Sequence, residues 1–176
     1  MEEPSINYGL IFKNFSQKIK DMRVGSIKQT GIKKIAKPVL LLALINGIED
    51  GVFKHNSFEY EKLACIYEAV FKKYADVSKQ TEYTPLYYPF FHLHTSDFWN
   101  LCLKTPHSDR FPSTISVGWI RNNVEYAYID PKLWDMLQHK VYRNRLAEFI
   151  VDEKIKTATA RSHTFLRLFL NWLVAI

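Results

Sequence analysis

Hydrophobic residues recur at three- and four-residue steps through much of the first half of the chain, a spacing that predicts helices with one buried face. This spacing is found over residues 6–22, with lysines on the opposite side, and again over residues 58–75. Between them, residues 38–51 form a largely apolar run that begins at Pro38 and ends at Gly51. Because proline is favoured in the first turn of a helix and glycine just after its end, this run predicts a buried helix.

In the second half of the chain the pattern changes to short apolar runs rich in aromatic residues, which are typical of strands. Residues 90–93 and 98–103 predict two strands joined by a tight turn. Residues 117–130 predict a β-hairpin that turns at Asn122 and Asn123, because asparagine tolerates positive φ angles. This half is therefore expected to contain a small antiparallel sheet.

Two further helices are expected after the sheet. Pro131 opens one of them, over residues 132–138, and residues 142–156 predict the other. Helices packed around a small antiparallel sheet define the α+β class. The 176 residues, of which 47% are hydrophobic, suit a single domain, which we place at residues 1–156. An apolar helix over residues 157–176 is expected to pack on this domain without forming a separate one.

The chain is basic, with 24 lysines and arginines against 18 acidic residues and a formal net charge of +6. This excess suits nucleic acid, an anionic membrane surface or an acidic protein partner. Residues 23–37 hold several basic residues and no acid, and they read as a loop. Lysines in such a loop either form an ordinary solvated surface or neutralise phosphates, with N–H groups of a nearby helix N-terminus assisting. The candidate residues for contacts with a DNA backbone are Lys28, Lys33, Lys34, Lys37 and Arg121.

Other features bear on location. The apolar run at residues 165–176 is shorter than the roughly 20 residues that a membrane-spanning helix needs, so no membrane partner is expected. The N-terminus lacks the apolar segment of a signal peptide. Cys65 and Cys102 are expected to be buried free thiols. Together these features favour a cytoplasmic protein.

No motif of a known catalytic site is present. The chain lacks a P-loop, a G-x-G-x-x-G, a G-x-S-x-G and an H-E-x-x-H sequence, so no catalytic residue is nominated and no enzymatic activity is expected of the chain by itself. His92 and His94 would share one face of a strand, but no second pair of ligands accompanies them. We therefore expect neither a metal site nor a cofactor.

The stretch "YYPFFHLHTSDFW", residues 87–99, is the most unusual in the chain. Proline cannot donate to a sheet ladder, so Pro89 is expected at the start or edge of a strand, with its ring partly accessible beside Tyr88. One interpretation makes the whole stretch core, and the other makes Tyr88 and Pro89 the wall of a pocket. The residues expected in the core under both are Phe90, Phe91, Leu93, Phe98 and Trp99.

Three segments occur in an order that resembles a known family. They are "KPVLLLALINGIEDG" (37–51), "YYPFFHLHTSDFWNL" (87–101) and "YIDPKLWDMLQHKVYRNRLAEFIVDEKI" (128–155). The arrangement resembles the N-terminal sulfur-binding domain of McrA-type, phosphorothioation-dependent HNH restriction endonucleases. Domains of that family bind double-stranded DNA in which sulfur replaces a non-bridging phosphate oxygen.

The resemblance implies particular residues for this task. The apolar pocket that receives the sulfur would consist of Tyr88, Pro89 and His92, and Lys33 or Lys34 would hold the modified backbone. His92 stands where the best-known members carry a small residue, and the lysines stand where an arginine is usual. Sulfur is less strongly hydrated than oxygen, so an apolar pocket costs sulfur less desolvation than it costs oxygen.

The resemblance implies a DNA-binding module of a modification-dependent restriction system for bacterial defence. The HNH nuclease module of the family is not found after residue 156, where His163 is the only histidine, so a nuclease half is expected to be separate or missing. Three other hypotheses remain open: a general DNA binder without sulfur selectivity, a protein-interaction or regulatory domain of the same fold, and a self-sufficient nuclease.

Overall fold

Seven α-helices and two strands make up the part of the chain that the computed structural model describes, residues 6–80, 82–105 and 111–159. In chain order they are α1 (Tyr8–Asp21), α2 (Ala36–Glu49), α3 (Tyr60–Ala75), α4 (Tyr87–His92), β1 (Trp99–Leu103), α5 (Val117–Asn123), β2 (Val124–Ile129), α6 (Pro131–Gln138) and α7 (Lys140–Ile150). Shorter helical turns follow α4 at Leu93–Thr95 and follow α7 at Val151–Ile155 and Lys156–Ala158. The predicted α+β class is confirmed.

Helix α2 lies at the centre of the hydrophobic core. Eleven of its fourteen residues are buried, as the apolar run predicts, and it packs against α3, α4, α6 and α7. The contact with the segment after it is close, because a Cβ atom built on Gly47 would lie 2.5 Å from the ring of Phe53. Burial on every side explains why this helix shows no polar face.

The two strands form an antiparallel sheet. Trp99 pairs with Ile129 at one end and Leu103 with Val124 at the other, with an irregularity between Cys102 and Leu103. Phe58 adds a bridge on the other edge of β2, through hydrogen bonds of 2.7 and 3.0 Å with the backbone of Ala127. The sheet is therefore the small antiparallel one that the sequence predicts, but its partner strands differ.

The predicted strand at residues 90–93 is wrong, because these residues belong to α4 and the turn after it. A short apolar run does not distinguish a buried strand from a buried helix by its spacing. Pro89 fits the first turn of a helix, where its missing N–H has no intrahelical partner to lose. The five expected core residues are nevertheless all buried: Phe90, Phe91, Leu93, Phe98 and Trp99.

The predicted hairpin at residues 117–130 is also wrong in its first half, which is helix α5. Ser116 caps this helix, and its Oγ accepts a hydrogen bond of 3.1 Å from the N–H of Trp119. Asn123 ends the helix and donates from Nδ2 to the carbonyl of Trp119 at 2.9 Å. The two asparagines therefore terminate a helix, and β2 pairs with β1 across the intervening chain.

The cysteines are free, as expected, but neither is buried: Cys65 is exposed on α3 and Cys102 is half-buried in β1. The prediction that both thiols are buried was wrong. It rested on their apolar neighbours in the sequence, but both cysteines lie on partly solvated faces. Among the described residues, no helix is long and apolar enough to cross a membrane. Most of the helix expected at 157–176, including His163, lies outside the described residues.

Candidate nucleic-acid interface

A cleft of about 630 Å³ opens between the basic loop, the start of α2, the segment that leads into α4, and α4 itself. Three of the predicted site residues, Tyr88, Pro89 and His92, lie in its lining. Lys34 and Lys37 also lie there, so this one cavity contains the Tyr-Pro sequence and part of the basic loop.

Helix α4 explains why the three pocket residues lie together. In a strand, Tyr88 and Pro89 would point to opposite faces, whereas in a helix His92 lies four residues after Tyr88 and three after Pro89, spacings that place its side chain beside both. Phe90 and Phe91 anchor the helix in the core. Tyr88 keeps 43% of its surface exposed, and His92 is also exposed. Pro89 is buried, which corrects the expectation of a partly accessible ring.

The basic loop is a short hairpin-like turn packed against the rest of the domain. The N–H of Lys34 donates to the carbonyl of Gly25 at 2.8 Å, and the N–H of Ile27 donates to the carbonyl of Ile32 at 2.8 Å. Gly31 has a φ of +70°, a conformation that glycine adopts without strain. These hydrogen bonds fix the backbone of the turn, and its lysines therefore point to different sides of it.

Of the two lysines proposed to hold the DNA backbone, the structure places Lys34 in the cleft lining and Lys33 outside it. The Lys33 ammonium donates to Oγ of Ser26 at 2.8 Å, on the same turn. Lys28 lies at the exposed tip of the turn, also outside the lining.

Two basic groups in the lining carry shifted pKa values. Burial lowers the pKa of Lys37, in the first turn of α2. Partial desolvation in the cleft also lowers the pKa of His92, and the nearby charges of Lys37 and His94 lower it further. The cleft is therefore partly desolvated, and its lining carries three basic side chains, Arg23, Lys34 and Lys37, against one acid, Glu82. In such a setting an anion gains more from each contact than it would in water.

Arg121 lies elsewhere. It is in α5 rather than at a hairpin tip, and its guanidinium donates to both carboxylate oxygens of Glu61 at 2.6 and 3.3 Å. This ion pair lowers the pKa of the Glu61 carboxyl. Arg121 is outside the cleft lining and already has an anionic partner.

His94 takes part in a local contact. Its Nδ1 lies 2.6 Å from the carbonyl oxygen of Phe91, one turn earlier. Within residues 6–80, 82–105 and 111–159, no three His, Cys, Asp or Glu side chains come together as metal ligands.

The sequence reasoning missed several residues of the cleft. Arg23 is in the lining and begins the basic segment, so the run of basic residues could have indicated it. The remaining missed lining residues include Gln80, Glu82, Tyr83 and Pro85, from a stretch that reads only as polar loop.

The fold is shared with a solved structure. The chain is similar to a solved structure described as the sulfur-binding domain of SprMcrA complexed with phosphorothioated DNA, with a TM-score of 0.61 and 13% identity. The match covers 90% of this chain and 97% of that one. At this identity it shows a shared fold, and the resemblance seen in the sequence is confirmed at that level. No protein-family model and no curated protein matches the chain.

Proposed function

We propose that this protein is a DNA-binding module that recognises phosphorothioate-modified double-stranded DNA. Residues 1–156 form the domain that performs this recognition. The observation that carries the proposal is the presence of Tyr88, Pro89 and His92 in the lining of one cleft that also holds basic side chains. The fold shared with the SprMcrA domain, which was solved with phosphorothioated DNA, supports the same assignment.

The chemistry of the cleft suits a thiophosphate group. Sulfur in place of oxygen is larger and more weakly hydrated, so contact with the rings of Tyr88 and Pro89 costs it little desolvation. An ordinary phosphate oxygen in the same position loses water hydrogen bonds without replacement. Selectivity then comes from the penalty on the unmodified backbone as well as from attraction to the modified one.

The basic residues supply affinity for DNA that does not depend on the base sequence. Arg23, Lys34 and Lys37 line the cleft, and each can neutralise a phosphate of the duplex. Lys28 and Lys33 stand on the adjacent turn and extend the positive surface. In this proposal Arg121 makes a weaker contribution, because Glu61 already neutralises it.

The test compares identical duplexes with and without one phosphorothioate linkage, in a gel shift or by fluorescence anisotropy. We expect the wild-type protein to bind the modified duplex more tightly than the unmodified one. In Pro89→Ala, which removes two ring methylenes from the pocket wall, the ratio of the two affinities should fall about tenfold. Pro131→Ala is the matched control, because Pro131 also lies in the first turn of a helix but is outside the cleft lining. Equal affinity of the wild-type protein for both duplexes would show a general DNA binder.

We further propose that the module belongs to a modification-dependent restriction system in the cytoplasm, with an HNH nuclease module supplying cleavage. The resemblance of the three ordered segments to McrA-type domains supports this role. Incubation of the chain with phosphorothioated DNA and Mg²⁺ or Mn²⁺ tests it. Binding without cleavage is the expected result, and cleavage would identify a self-sufficient nuclease.

Absence of binding to any duplex, even at low salt, would favour the alternative hypothesis of a protein-interaction or regulatory domain.

A further inference from the structure

Gln80 is a buried polar residue in the lining of the cleft. It follows α3, where its backbone N–H donates to the carbonyl of Ala75 at 2.9 Å. Lys79 before it has a φ of +52°, which turns the chain back towards α2. Only 2% of the surface of Gln80 is exposed. The end of α3 thus delivers one amide side chain into the interior beside the cleft.

The orientation of this amide is fixed by its oxygen. Oε1 of Gln80 accepts a hydrogen bond of 3.4 Å from the N–H of Ile35, the residue just before α2. The opposite orientation would set the NH₂ group against the N–H of Ile35. Nε2 therefore points away from this contact, and it has no hydrogen-bond partner among the described residues. A buried donor without an acceptor is costly and rare in native proteins.

The surroundings of Nε2 favour an anionic acceptor. Gln80 shares the cleft lining with the first turn of α2, whose N-terminus has no side-chain cap. Lys37 in that turn is half-buried, and it has no hydrogen bond or ion pair within the part of the chain that the structure describes. A helix N-terminus, an unpaired ammonium group and an unpaired amide donor together suit an oxygen atom of a phosphate-type group.

We propose that Nε2 of Gln80 donates a hydrogen bond to the non-bridging oxygen of the thiophosphate group whose sulfur contacts Tyr88 and Pro89. The inference rests on the proposed function. It assigns the cleft two parts, an apolar wall that receives sulfur and a polar end, formed by Gln80 and the start of α2, that receives the oxygen of the same linkage. The module then recognises a phosphate with one sulfur and one oxygen, and not sulfur alone.

Three duplexes that differ at a single linkage test this division: phosphate, phosphorothioate and phosphorodithioate. A dithioate still presents sulfur to the apolar wall and keeps its negative charge, but it lacks the oxygen acceptor. We expect the wild-type protein to bind the dithioate about tenfold more weakly than the monothioate, as the loss of one hydrogen bond to a charged group implies. Equal affinity for the two would overturn the inference without any variant.

Gln80→Met provides the second arm, because methionine keeps the length of the side chain and removes the donor. It should weaken binding of the monothioate about tenfold and leave binding of the dithioate unchanged. Equal losses on both would indicate a merely structural role and contradict the inference. Gln29→Met, on the exposed turn of the basic loop, is the control for the substitution itself.

In Gln80→Glu, one carboxylate oxygen can still accept from the N–H of Ile35. This variant should bind the monothioate more weakly than Gln80→Met does, since the new charge repels the ligand. Failure of the underlying function would look different: the wild-type protein would bind the phosphate and the monothioate equally.

Discussion

The indole Nε1 of Trp99 donates a hydrogen bond of 2.9 Å to the carbonyl oxygen of Phe90. Phe90 lies in α4, a helix of only six residues. Trp99 is the first residue of β1 and is fully buried. The bond therefore joins the sheet to the short helix that carries Tyr88 and Pro89, and it holds the cleft wall in place.

Trp99→Phe should lower the free energy of unfolding by about 1–3 kcal/mol, because it removes this hydrogen bond to the carbonyl of Phe90 and part of a fully buried ring. It should also weaken the preference for phosphorothioated DNA, since α4 loses an anchor. Urea denaturation and the paired binding assay measure the two effects.

Trp134→Phe is the control for this substitution. Trp134 also packs on Phe58, at 5.9 Å between ring centroids, but its indole N–H has no hydrogen-bond partner among the described residues. A similar loss of stability in both variants would show that ring volume, and not the hydrogen bond, stabilises α4.

His92 should make DNA binding depend on pH. Its pKa lies below the ordinary value of 6.5, because burial and the charges of Lys37 and His94 disfavour the protonated form. In the free protein, the stability that this neutral side chain contributes is complete above pH 6.5 and declines as the pH falls through that value, where the unfolded chain binds more protons. A phosphate group nearby favours the protonated form and so raises the pKa.

Binding of phosphorothioated DNA should therefore strengthen several-fold between about pH 7.5 and about pH 5.5, with uptake of a proton. His92→Ala should remove most of this dependence and enlarge the pocket. His55→Ala is the control, because His55 is exposed and outside the cleft lining. An unchanged pH profile in His92→Ala would contradict the assignment.

The cleft lining also separates the basic residues into two groups. Arg23 and Lys34 line the cleft, whereas Lys33 is bound to Ser26 and lies outside it. Arg23→Ala and Lys34→Ala should each weaken duplex binding and reduce the slope of log affinity against log salt by about 1, the value for one phosphate contact. Lys33→Ala should change the slope less. Salt titrations of the three variants, with Lys132→Ala on α6 as a remote control, check this order.

Sequence-based prediction of the helices and strands is most accurate where the local residue preferences and the packing of the whole fold favour the same structure. The long apolar run after Pro38 became α2, and the proline-opened segment at residues 131–138 became α6. The strand prediction at residues 90–93 was wrong because a four-residue segment with three apolar residues fits either period. The choice of a helix depends on packing against α2 and α5. Ser116 is a helix N-cap that the hairpin interpretation overlooked.

The candidate site divides in a similar way. Tyr88, Pro89 and His92 were accessible to sequence reasoning because they form one motif. Gln80 and Tyr83 were not, because they join the cleft only through the tertiary contact between the end of α3 and the start of α2. No local pattern encodes such a contact, since a buried glutamine in a polar loop looks like a solvated one.

Gly47 should be a sensitive position in the core. It lies inside α2, and an added Cβ would meet two carbons of the Phe53 ring at 2.5 and 2.6 Å and Ile66 at 3.0 Å. Gly47→Ala should therefore destabilise the fold by about 1–3 kcal/mol through overpacking, although alanine is the better helix former. Chemical denaturation measures the change.

Gly118→Ala makes the comparison direct, because Gly118 also lies in a helix, α5, and its nearest non-neighbouring atom would be 3.8 Å from the added Cβ. There the helix propensity of alanine should act alone and leave stability unchanged or raised by up to about 1 kcal/mol. If Gly47→Ala lowers the free energy of unfolding and Gly118→Ala raises it, the loss at Gly47 comes from the close contact with the ring of Phe53. Equal stabilisation by both would mean that the segment after α2 can move away without loss, and that the close packing of Phe53 on this helix contributes little to the fold.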